Sequence, residues 1–232
     1  MTYENFPIAV VDNGGQWTHR EYRVLNYLGC RAEIVSNVTP IEELERFKAL
    51  VLSGGAPRIE TESEALGLTS EYIDSEKWPI LGICVGHQYL ATHFGGKAGP
   101  AQIPEFGSSL VTLIEEGWIL SGFPKDFNVW ESHNDEVHEM PSNFRLMASS
   151  DACPVQVIQH ESLPFAGVQY HPEVEHTEHG YEIFKNFSQS EYTLHPDTIT
   201  VRLKNSVGYF LHGLKLKSYE FDKYKTKKSK KY

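Results

Sequence analysis

The first ninety residues alternate strand-like and helix-like segments, and this alternation limits the fold more than any other feature of the sequence. Runs rich in apolar and β-branched residues occupy positions 8–11, 31–36, 48–55 and 79–84. Strands spaced in this way pair in parallel through right-handed crossovers, and ligands bind beyond the carboxyl ends of such strands. Two of the strands end in "LSGG" and "LGIC", so we expect a functional site there.

Three helices are predicted between these strands. The first covers residues 17–28 and ends at a glycine, and the third lies around residues 64–75. The second begins within "TPIEELERF". There Thr39 is predicted to be the N-cap, Pro40 the first helical residue and Glu42 the acidic partner of a capping box.

The pattern changes after residue 96. Short alternating runs with turns between them predict antiparallel strands in "SSLVTLI", "FNVWES", "FRLMASS", "PVQVIQ" and "FAGVQY". Aromatic residues at helical spacing predict a final helix over residues 178–188. The predicted fold is therefore α/β, a mostly parallel central sheet flanked by helices with an additional small antiparallel β part.

Composition and charge bound the number of domains and the classes of partner. A chain of 232 residues with 40% hydrophobic content supports one sizeable α/β core. We expect that domain over residues 1–190 and a C-terminal extension over residues 191–232, lysine-rich from about residue 215. The extension carries ten basic and four acidic residues, whereas the rest of the chain carries eleven and twenty-seven. Because the body is so acidic, nucleic acid is an unlikely partner.

The location of the protein is predicted from what its sequence lacks. There is no run of about 18 apolar residues, and "MTYENFPIAVV" has neither the basic region nor the cleavage site of a signal peptide. We therefore expect a soluble cytoplasmic protein with no membrane partner.

Cys84 is the strongest candidate for a nucleophile. The three cysteines are odd in number and form no CxxC pair, which argues against a disulfide framework and against a zinc finger. Cys84 alone is framed as Gly-x-Cys-x-Gly, the thiol version of the nucleophile elbow between a strand and a helix. A helix N-terminus there favours thiolate, and the N–H of Val85 can point at a developing oxyanion. The alternative is a small buried residue, which is how we interpret Cys30 and Cys153.

The segment "GVQYHPEV" supplies the best candidates for a base and for the group that orients it. His171 and Glu173 follow a predicted strand, and residues two apart on an extended chain face the same side. Pro172 keeps its predecessor extended and prevents a helix. His171 can thus meet Cys84 while Glu173 orients the imidazole. An exposed turn is the alternative interpretation.

A metal site competes for the same segment, because three histidines and three glutamates fall between residues 171 and 179. Their spacing fits neither HExxH nor a two-carboxylate pattern. We therefore expect no metal here.

The sequence "LSGGAP" is the candidate for a second oxyanion donor. Two glycines let the backbone approach a ligand closely, with the N–H of Gly55 available. An ordinary turn and a phosphate loop are the alternatives, but GxxxxGK[ST] is absent, and so is the Ser-Gly-Gly-x-Asp-Ser loop of ATP pyrophosphatases. We expect no nucleotide site in this chain.

These motifs, in this order, resemble those of class I glutamine amidotransferases, whose fold is flavodoxin-like, over roughly residues 6–188. "VDNGGQWTHR", "VWESHNDEV" and "GVQYHPEVEHT" are similar in particular to the glutaminase subunits of GMP synthases whose synthetase is a separate chain. The resemblance implies that Cys84 attacks the side-chain amide of glutamine. It implies that His171 protonates the departing ammonia and then activates water, and that Glu173 orients His171. The two backbone N–H groups named above would hold the oxyanion.

The resemblance also implies substrate contacts and a partner. Gln88 would line the glutamine pocket, and Ser132, His133 and Asp135 would contact the α-amino and α-carboxylate end of glutamine. Asn134 departs from the Gly or Ala common at that position, and would either narrow the pocket or adopt the left-handed conformation. Ammonia would pass to a separate ATP-pyrophosphatase (synthetase) subunit that adenylates xanthosine monophosphate. ATP and Mg²⁺ are expected in that partner, and no cofactor is expected in this chain.

Other functions stay open at this point. Another class I amidotransferase glutaminase would share the three catalytic residues but would not be expected to carry "DNGGQWTHR" or "EHT". An idle interaction subunit of the same fold is disfavoured because the catalytic residues and both glycine turns are intact. A thiol peptidase of similar topology is disfavoured by the His-Pro-Glu arrangement and by Gln88.

Overall fold

A computed structural model of the chain describes residues 6–190. The predicted C-terminal extension, with its lysine-rich end, lies outside the described residues. Those residues form one nine-stranded mixed sheet with helices packed against it. No helix in this part of the chain is both long enough and apolar enough to cross a bilayer.

Parallel pairing builds one half of the sheet, in the strand order β2-β1-β3-β4. Val10 of the central strand lies between Ile34 and Val51 of its two neighbours, and it is fully buried. The predicted alternation is confirmed. The four strands are β1 (Phe6–Asn13), β2 (Cys30–Ser36), β3 (Ala49–Gly55) and β4 (Ile80–Ile83).

The crossovers of this half are shorter and more broken than predicted, apart from the first. They contain α1 (Thr18–Tyr27), α2 (Ile41–Leu44), α3 (Ile59–Glu62), a 3₁₀ turn (Ser63–Leu66) and α4 (Thr69–Asp74).

Two details of the predicted helices are wrong. Pro40 is extended (φ −56°, ψ 143°), so it is itself the N-cap and the helix begins at Ile41. Thr39 makes no capping hydrogen bond, and its carbonyl accepts one from the Tyr72 hydroxyl instead. The single helix expected around residues 64–75 is divided at Gly67, whose φ of +57° ends the 3₁₀ turn.

Antiparallel pairing builds the other half, and the two halves form one continuous sheet. Its strands are β5 (Lys97–Leu113), β6 (Asp126–Glu139), β7 (Phe144–Ser149), β8 (Val157–His160) and β9 (Phe165–Val168). β9 pairs in parallel with β4 and antiparallel with β8, which gives the order β2-β1-β3-β4-β9-β8-β7-β5-β6. The α/β class is confirmed, and the antiparallel part extends the parallel sheet.

The β5–β6 hairpin is longer than the short strands predicted for it. Its pairing continues from Thr112↔Asp126 to Lys97↔Glu139. Register shifts between Lys97 and Ala98 and between Pro100 and Glu105 let the ribbon bend. Because the pairing is irregular, apolar and polar residues do not alternate regularly along these strands, and the sequence pattern that predicts a strand is interrupted. The hairpin matters for the site because β6 carries residues 132–135.

Two further helices complete the described fold. α5 (Val85–His93) starts directly after β4, and α6 (Gly180–Ser188) matches the predicted final helix. α6 buries Phe184 and Phe187 and leaves Tyr181 exposed. The two buried rings join Leu25 of α1 in the main apolar core.

Candidate active site

Cys84 occupies the sharp turn between β4 and α5. Its backbone has φ +50° and ψ −108°, a conformation that is strained for any residue with a side chain. The flanking glycines are needed because their surroundings leave no room. A Cβ on Gly86 would lie 2.3 Å from the carbonyl oxygen of Leu52, and one on Gly82 would lie 2.6 Å from the backbone of Gly86. The turn therefore has the geometry of a nucleophile elbow.

His171 and Glu173 form a buried pair after β9. Nδ1 of His171 lies 2.7 Å from Oε1 of Glu173, and neither residue is more than 6% exposed. Gly54, at the end of β3, lies against the other face of the site. A Cβ there would be 3.1 Å from Cε1 of His171 and 3.6 Å from Cβ of Cys84. The ends of β3, β4 and β9 thus bring the three predicted catalytic residues together.

The electrostatics of this pair favour a charged imidazole. Burial by itself lowers the pKa of His171, but the carboxylate of Glu173 and the sulfur of Cys84 outweigh it. The net result is a pKa raised well above that of an ordinary histidine. A charged imidazole beside the sulfur holds the proton that a departing group needs.

A cavity of about 370 Å³ opens in front of Cys84 and His171. This volume suits a small ligand. Its wall includes all nine residues predicted for the site: Gly55, Cys84, Val85, Gln88, Ser132, His133, Asp135, His171 and Glu173.

The two predicted oxyanion donors line the same cavity as Cys84. Val85 is the first residue of α5, so its N–H has no partner within the helix. Gly55 ends β3 on the facing wall, where a Cβ would lie 2.3 Å from the carbonyl oxygen of Asn13. Both positions fit the predicted role.

Gln88 reaches the predicted substrate segment from α5. Its Nε2 donates to the backbone oxygen of Asp135 at 2.6 Å and to Oε1 of Gln169 at 3.1 Å. Gln88 therefore supports the cavity wall that Asp135 helps to form. Asn134 is exposed and lies within the extended strand β6, so the left-handed conformation considered for it does not occur.

His133 lines the cavity, but its ring is enclosed by carboxylates. Nε2 lies 3.3 Å from Oε2 of Glu105 and 3.3 Å from Oε2 of Glu131, and the side chain is 1% exposed. Burial lowers the pKa of His133, yet the two neighbouring carboxylates raise it to about 10. The buried cation compensates the charges of these carboxylates midway along the β5–β6 hairpin. A side-chain contact of His133 with substrate stays a prediction.

Comparisons with known proteins agree with this geometry. Residues 9–190 match the family model described as Glutamine amidotransferase class-I. The chain belongs to this family.

Several relatives of this amidotransferase share a more specific description, that of a glutamine-hydrolysing GMP synthase subunit. One such protein, from Thermoplasma volcanium, is 51% identical over 180 residues, which cover 78% of this chain and 89% of the relative. A protein of the same description from Thermococcus kodakarensis is 47% identical over 184 residues, covering 78% and 97% of the two chains.

Solved structures give the same result for the fold. A Thermoplasma acidophilum protein provisionally described as a GMP synthase subunit is 49% identical, with a TM-score of 0.76 over 79% of this chain and 92% of that one. A glutamine amidotransferase from Thermotoga maritima is 18% identical, with a TM-score of 0.62 over 87% and 90% of the chains. The second likeness supports the fold alone.

Three side chains of this amidotransferase site were not predicted from the sequence. The ring of Trp17 packs edge-on against that of His171, with centroids 4.4 Å apart, and Gln169 places Nε2 3.8 Å from the sulfur of Cys84. The third is Glu21, a buried carboxylate in the cavity wall. Glu21 had a signal in the sequence, because it lies on the buried stripe of α1 with Thr18, Val24 and Leu25.

The loop after the catalytic pair is held by Thr177, which the sequence placed on a docking surface with Glu175 and His176 and which is buried instead. Its hydroxyl donates to the carbonyl oxygen of His171 at 2.7 Å and accepts from the N–H of Trp130 at 2.9 Å. Thr177 is buried, whereas Glu175 and His176 are exposed.

The histidines and glutamates of residues 171–179 are divided between the buried catalytic pair and the surface. Among the described residues, one group of potential metal ligands comes within 4.8 Å, and it lies elsewhere, at Glu105, His133 and Cys153. His133 is already paired there with two carboxylates. Burial raises the pKa of the Cys153 thiol, which opposes the thiolate that a metal requires.

Proposed function

We propose that the chain is the glutaminase subunit of a two-chain GMP synthase. It hydrolyses glutamine to glutamate and ammonia through a cysteinyl thioester, and supplies the ammonia to a separate ATP-dependent synthetase that converts XMP to GMP. The observation that carries the glutaminase activity is the convergence of Cys84, His171 and Glu173 at one cavity. The relatives described as GMP synthase subunits support the choice of reaction partner.

The first half of the reaction forms the thioester. The thiolate of Cys84 attacks the side-chain amide carbon of glutamine, and the carbonyl oxygen becomes an oxyanion. The N–H groups of Gly55 and Val85 hold that oxyanion, a type of interaction worth about 3 to 4 kcal/mol per donor in related chemistry. The imidazolium of His171 then gives its proton to the departing nitrogen, and ammonia leaves as the C–N bond breaks.

The second half regenerates the thiolate. Neutral His171 removes a proton from a water molecule, which attacks the thioester carbon. A second oxyanion forms at the same donors, and the C–S bond breaks to release glutamate. Glu173 holds the imidazole in one orientation through both halves, through the 2.7 Å contact with Nδ1.

Substrate recognition is assigned to the far wall of the cavity. We propose that Ser132 and Asp135 contact the α-amino and α-carboxylate end of glutamine, with Gln88 and His133 supporting them. The position of Asp135 supports this role, since its Oδ1 is buried and has no hydrogen-bond partner among the described residues. A carboxylate of that kind suits an α-ammonium group.

ATP and Mg²⁺ belong to the partner in this proposal, and this chain holds no cofactor or metal. The exposed residues Glu175 and His176 follow the catalytic pair and are suited to contact the synthetase. Thr177 comes next in the chain but is buried and holds the carbonyl of His171, so it is not part of that contact surface.

Two assays test the proposal in sequence. The purified chain, incubated with glutamine, should release glutamate and ammonia in equal amounts, and a peptide mixture should stay intact. Together with the synthetase chain of a two-chain GMP synthase, ATP, Mg²⁺, XMP and glutamine, it should then form GMP. Glutamine hydrolysis without GMP formation would indicate another amidotransferase, and no hydrolysis in either assay would indicate an idle subunit.

A further inference from the structure

Glu21 is a buried carboxylate at the active site with no role in the reaction described above. α1 carries it one helical turn after Trp17, whose ring packs on His171. Glu21 is 1% exposed and lines the same cavity as Cys84 and His171. Burying a carboxyl group costs several kcal/mol unless it is neutral or well partnered. Its presence on an otherwise packed helix face therefore needs an explanation.

One oxygen of Glu21 holds the strand end beside the nucleophile. Oε1 accepts a hydrogen bond from the N–H of Gly54 at 3.3 Å. Gly54 lies against both His171 and Cys84, and the next residue is the proposed oxyanion donor Gly55. The Ser53 hydroxyl donates to the carbonyl oxygen of Gly54 at 2.8 Å and holds the peptide that carries the Gly55 N–H. The hydrogen bond to Glu21 fixes the preceding peptide, so the two contacts together limit how the donor is aimed.

The other oxygen of Glu21 lacks a hydrogen-bond partner among the described residues, as does Oε2 of Glu173. Burial raises the pKa of Glu21 well above its usual value, and the charge of Glu173 raises it further, with a smaller contribution from Asp12. The N–H of Gly54 and the charge of His171 act in the opposite direction. On balance these contributions favour the neutral form of the Glu21 carboxyl group.

We propose that Glu21 is a positioning residue of the glutaminase reaction. Its neutral carboxyl group accepts from the N–H of Gly54 with one oxygen. With the other it donates its proton to the free oxygen of Glu173, directly or through one water. This hydrogen bond holds the carboxylate of Glu173 by the oxygen that does not contact His171. It also connects that carboxylate, through Glu21, to the end of β3 that carries Gly55. The inference rests on the glutaminase function proposed above.

Substitutions separate this role from simple packing. In Glu21→Gln the amide oxygen can still accept from Gly54 and the amide N–H can still donate to Glu173. Glu21→Leu fills a similar volume but makes neither hydrogen bond. Glu21→Asp is too short to make both. Glu43→Gln, on the exposed side of α2, is the control for loss of a glutamate.

The kinetic test measures kcat, KM for glutamine and the pH profile of each variant. Glu21→Gln should keep roughly a third or more of the wild-type kcat, whereas Glu21→Leu should lose about tenfold or more, as expected for a hydrogen bond to a charged group. The KM should change less than kcat in Glu21→Leu. Glu21→Gln should keep the wild-type pH profile, because its side chain retains both hydrogen bonds. Equal losses in the Gln and Leu variants, or a wild-type kcat in Glu21→Leu, would overturn the proposal.

Two further measurements keep the test decisive. If Glu21→Leu does not fold, Glu21→Asp replaces it, with the same expected contrast to Glu21→Gln. The infrared difference spectrum between wild type and Glu21→Gln at neutral pH, without substrate, should show the C=O band of one neutral carboxylic acid. Absence of that band would refute a neutral Glu21. A wild type that shows the band but does not hydrolyse glutamine would refute the proposed function instead.

Discussion

Nδ1 of His171 lies 2.7 Å from Oε1 of Glu173, so the orienting carboxylate contacts one ring nitrogen and leaves the other for the sulfur. Replacing each residue should therefore have unequal effects. His171→Ala removes the base itself, whereas Glu173→Gln leaves a base that still reaches its position part of the time. The loss of kcat/KM should be larger for His171→Ala by a factor on the order of 100.

Initial rates of ammonia release measure both variants. Glu182→Gln, an exposed change on α6, is the matched control and should keep the wild-type rate. Equal and complete loss in the two variants would mean that Glu173 does more than orient the ring.

The positive φ of Cys84 predicts that two equally inactive variants will differ in stability. Cys84→Ala and Cys84→Gly should both abolish hydrolysis, because each removes the sulfur. A side chain at φ +50° costs about 1 to 3 kcal/mol, and glycine relieves this cost at an entropic penalty of about 0.5 to 1 kcal/mol. Cys84→Gly should therefore be the more stable variant, by about 1 kcal/mol.

Urea unfolding of the two variants checks this difference. The comparison with alanine, and not with wild type, isolates the backbone, since both variants lack the sulfur. An alanine variant as stable as the glycine variant would show that the turn is not strained.

Cysteine labelling should be selective for Cys84. Burial raises the pKa of the Cys30 thiol and of the Cys153 thiol, so both stay protonated and unreactive at neutral pH. An electrophilic glutamine analogue should therefore add to Cys84 alone, and excess glutamine should protect it. Peptide mass mapping identifies the modified residue. Modification of Cys30 or Cys153 in the folded protein would contradict the assignment of the nucleophile.

His133 should make the stability of the protein depend on pH. Its pKa is about 10 in the folded chain and about 6.5 when unfolded. A pKa that is raised on folding stabilises the fold fully below the unfolded value, and this contribution is lost as the pH rises toward 10. The unfolding free energy of wild type relative to His133→Gln should thus fall across that window.

Denaturant titrations at several pH values test this expectation. His19→Gln, which changes an exposed histidine, should show no such trend relative to wild type. A difference that grows with pH would mean that His133 is neutral in the folded protein.

The synthetase should activate the glutaminase. Hydrolysis of glutamine by the free subunit wastes it, and the described site has exposed residues beside the catalytic pair for a partner to contact. Adding the synthetase chain with ATP, Mg²⁺ and XMP should raise the rate of glutamine hydrolysis at least about tenfold, which is about 1.4 kcal/mol off the barrier. If the free glutaminase is as fast as the reconstituted pair, gating is refuted but the glutaminase activity is not.

Local patterns made the catalytic residues predictable, and tertiary packing made the others hard to find. The frame around Cys84 and the extended His171-Pro172-Glu173 segment are short-range signals, and parallel strands place such ends together. Gln169 contacts the sulfur of Cys84, but no pattern in the sequence around it predicts that contact. Glu21 shares the helical spacing of Val24 and Leu25, but that spacing does not assign a role to its carboxyl group until the burial of the helix face is known.

The same reasoning explains the errors in secondary structure. The capping box at Thr39 matched a helix-start pattern, but α2 is only four residues long and tertiary contact with Tyr72 determines the backbone there. The lengths of β5 and β6 were underestimated from the sequence, because the register shifts of their hairpin break the alternation of apolar and polar residues that predicts a strand. Secondary-structure propensity and residue spacing are properties of one segment, and they do not specify which other segments will pack against it.

The central position of β9 in the sheet determines when the enzyme becomes active during synthesis and folding. β4 and β9 are adjacent in the sheet, yet Ile80 pairs with Phe165, so most of the chain must be synthesised before this contact can form. Contacts so distant along the chain form late in folding. Cys84 therefore leaves the ribosome well before β9 and His171, the residue that transfers the proton. A nascent chain, or one truncated before residue 165, is therefore chemically silent toward glutamine, and activity appears only when β9 joins the two halves of the sheet.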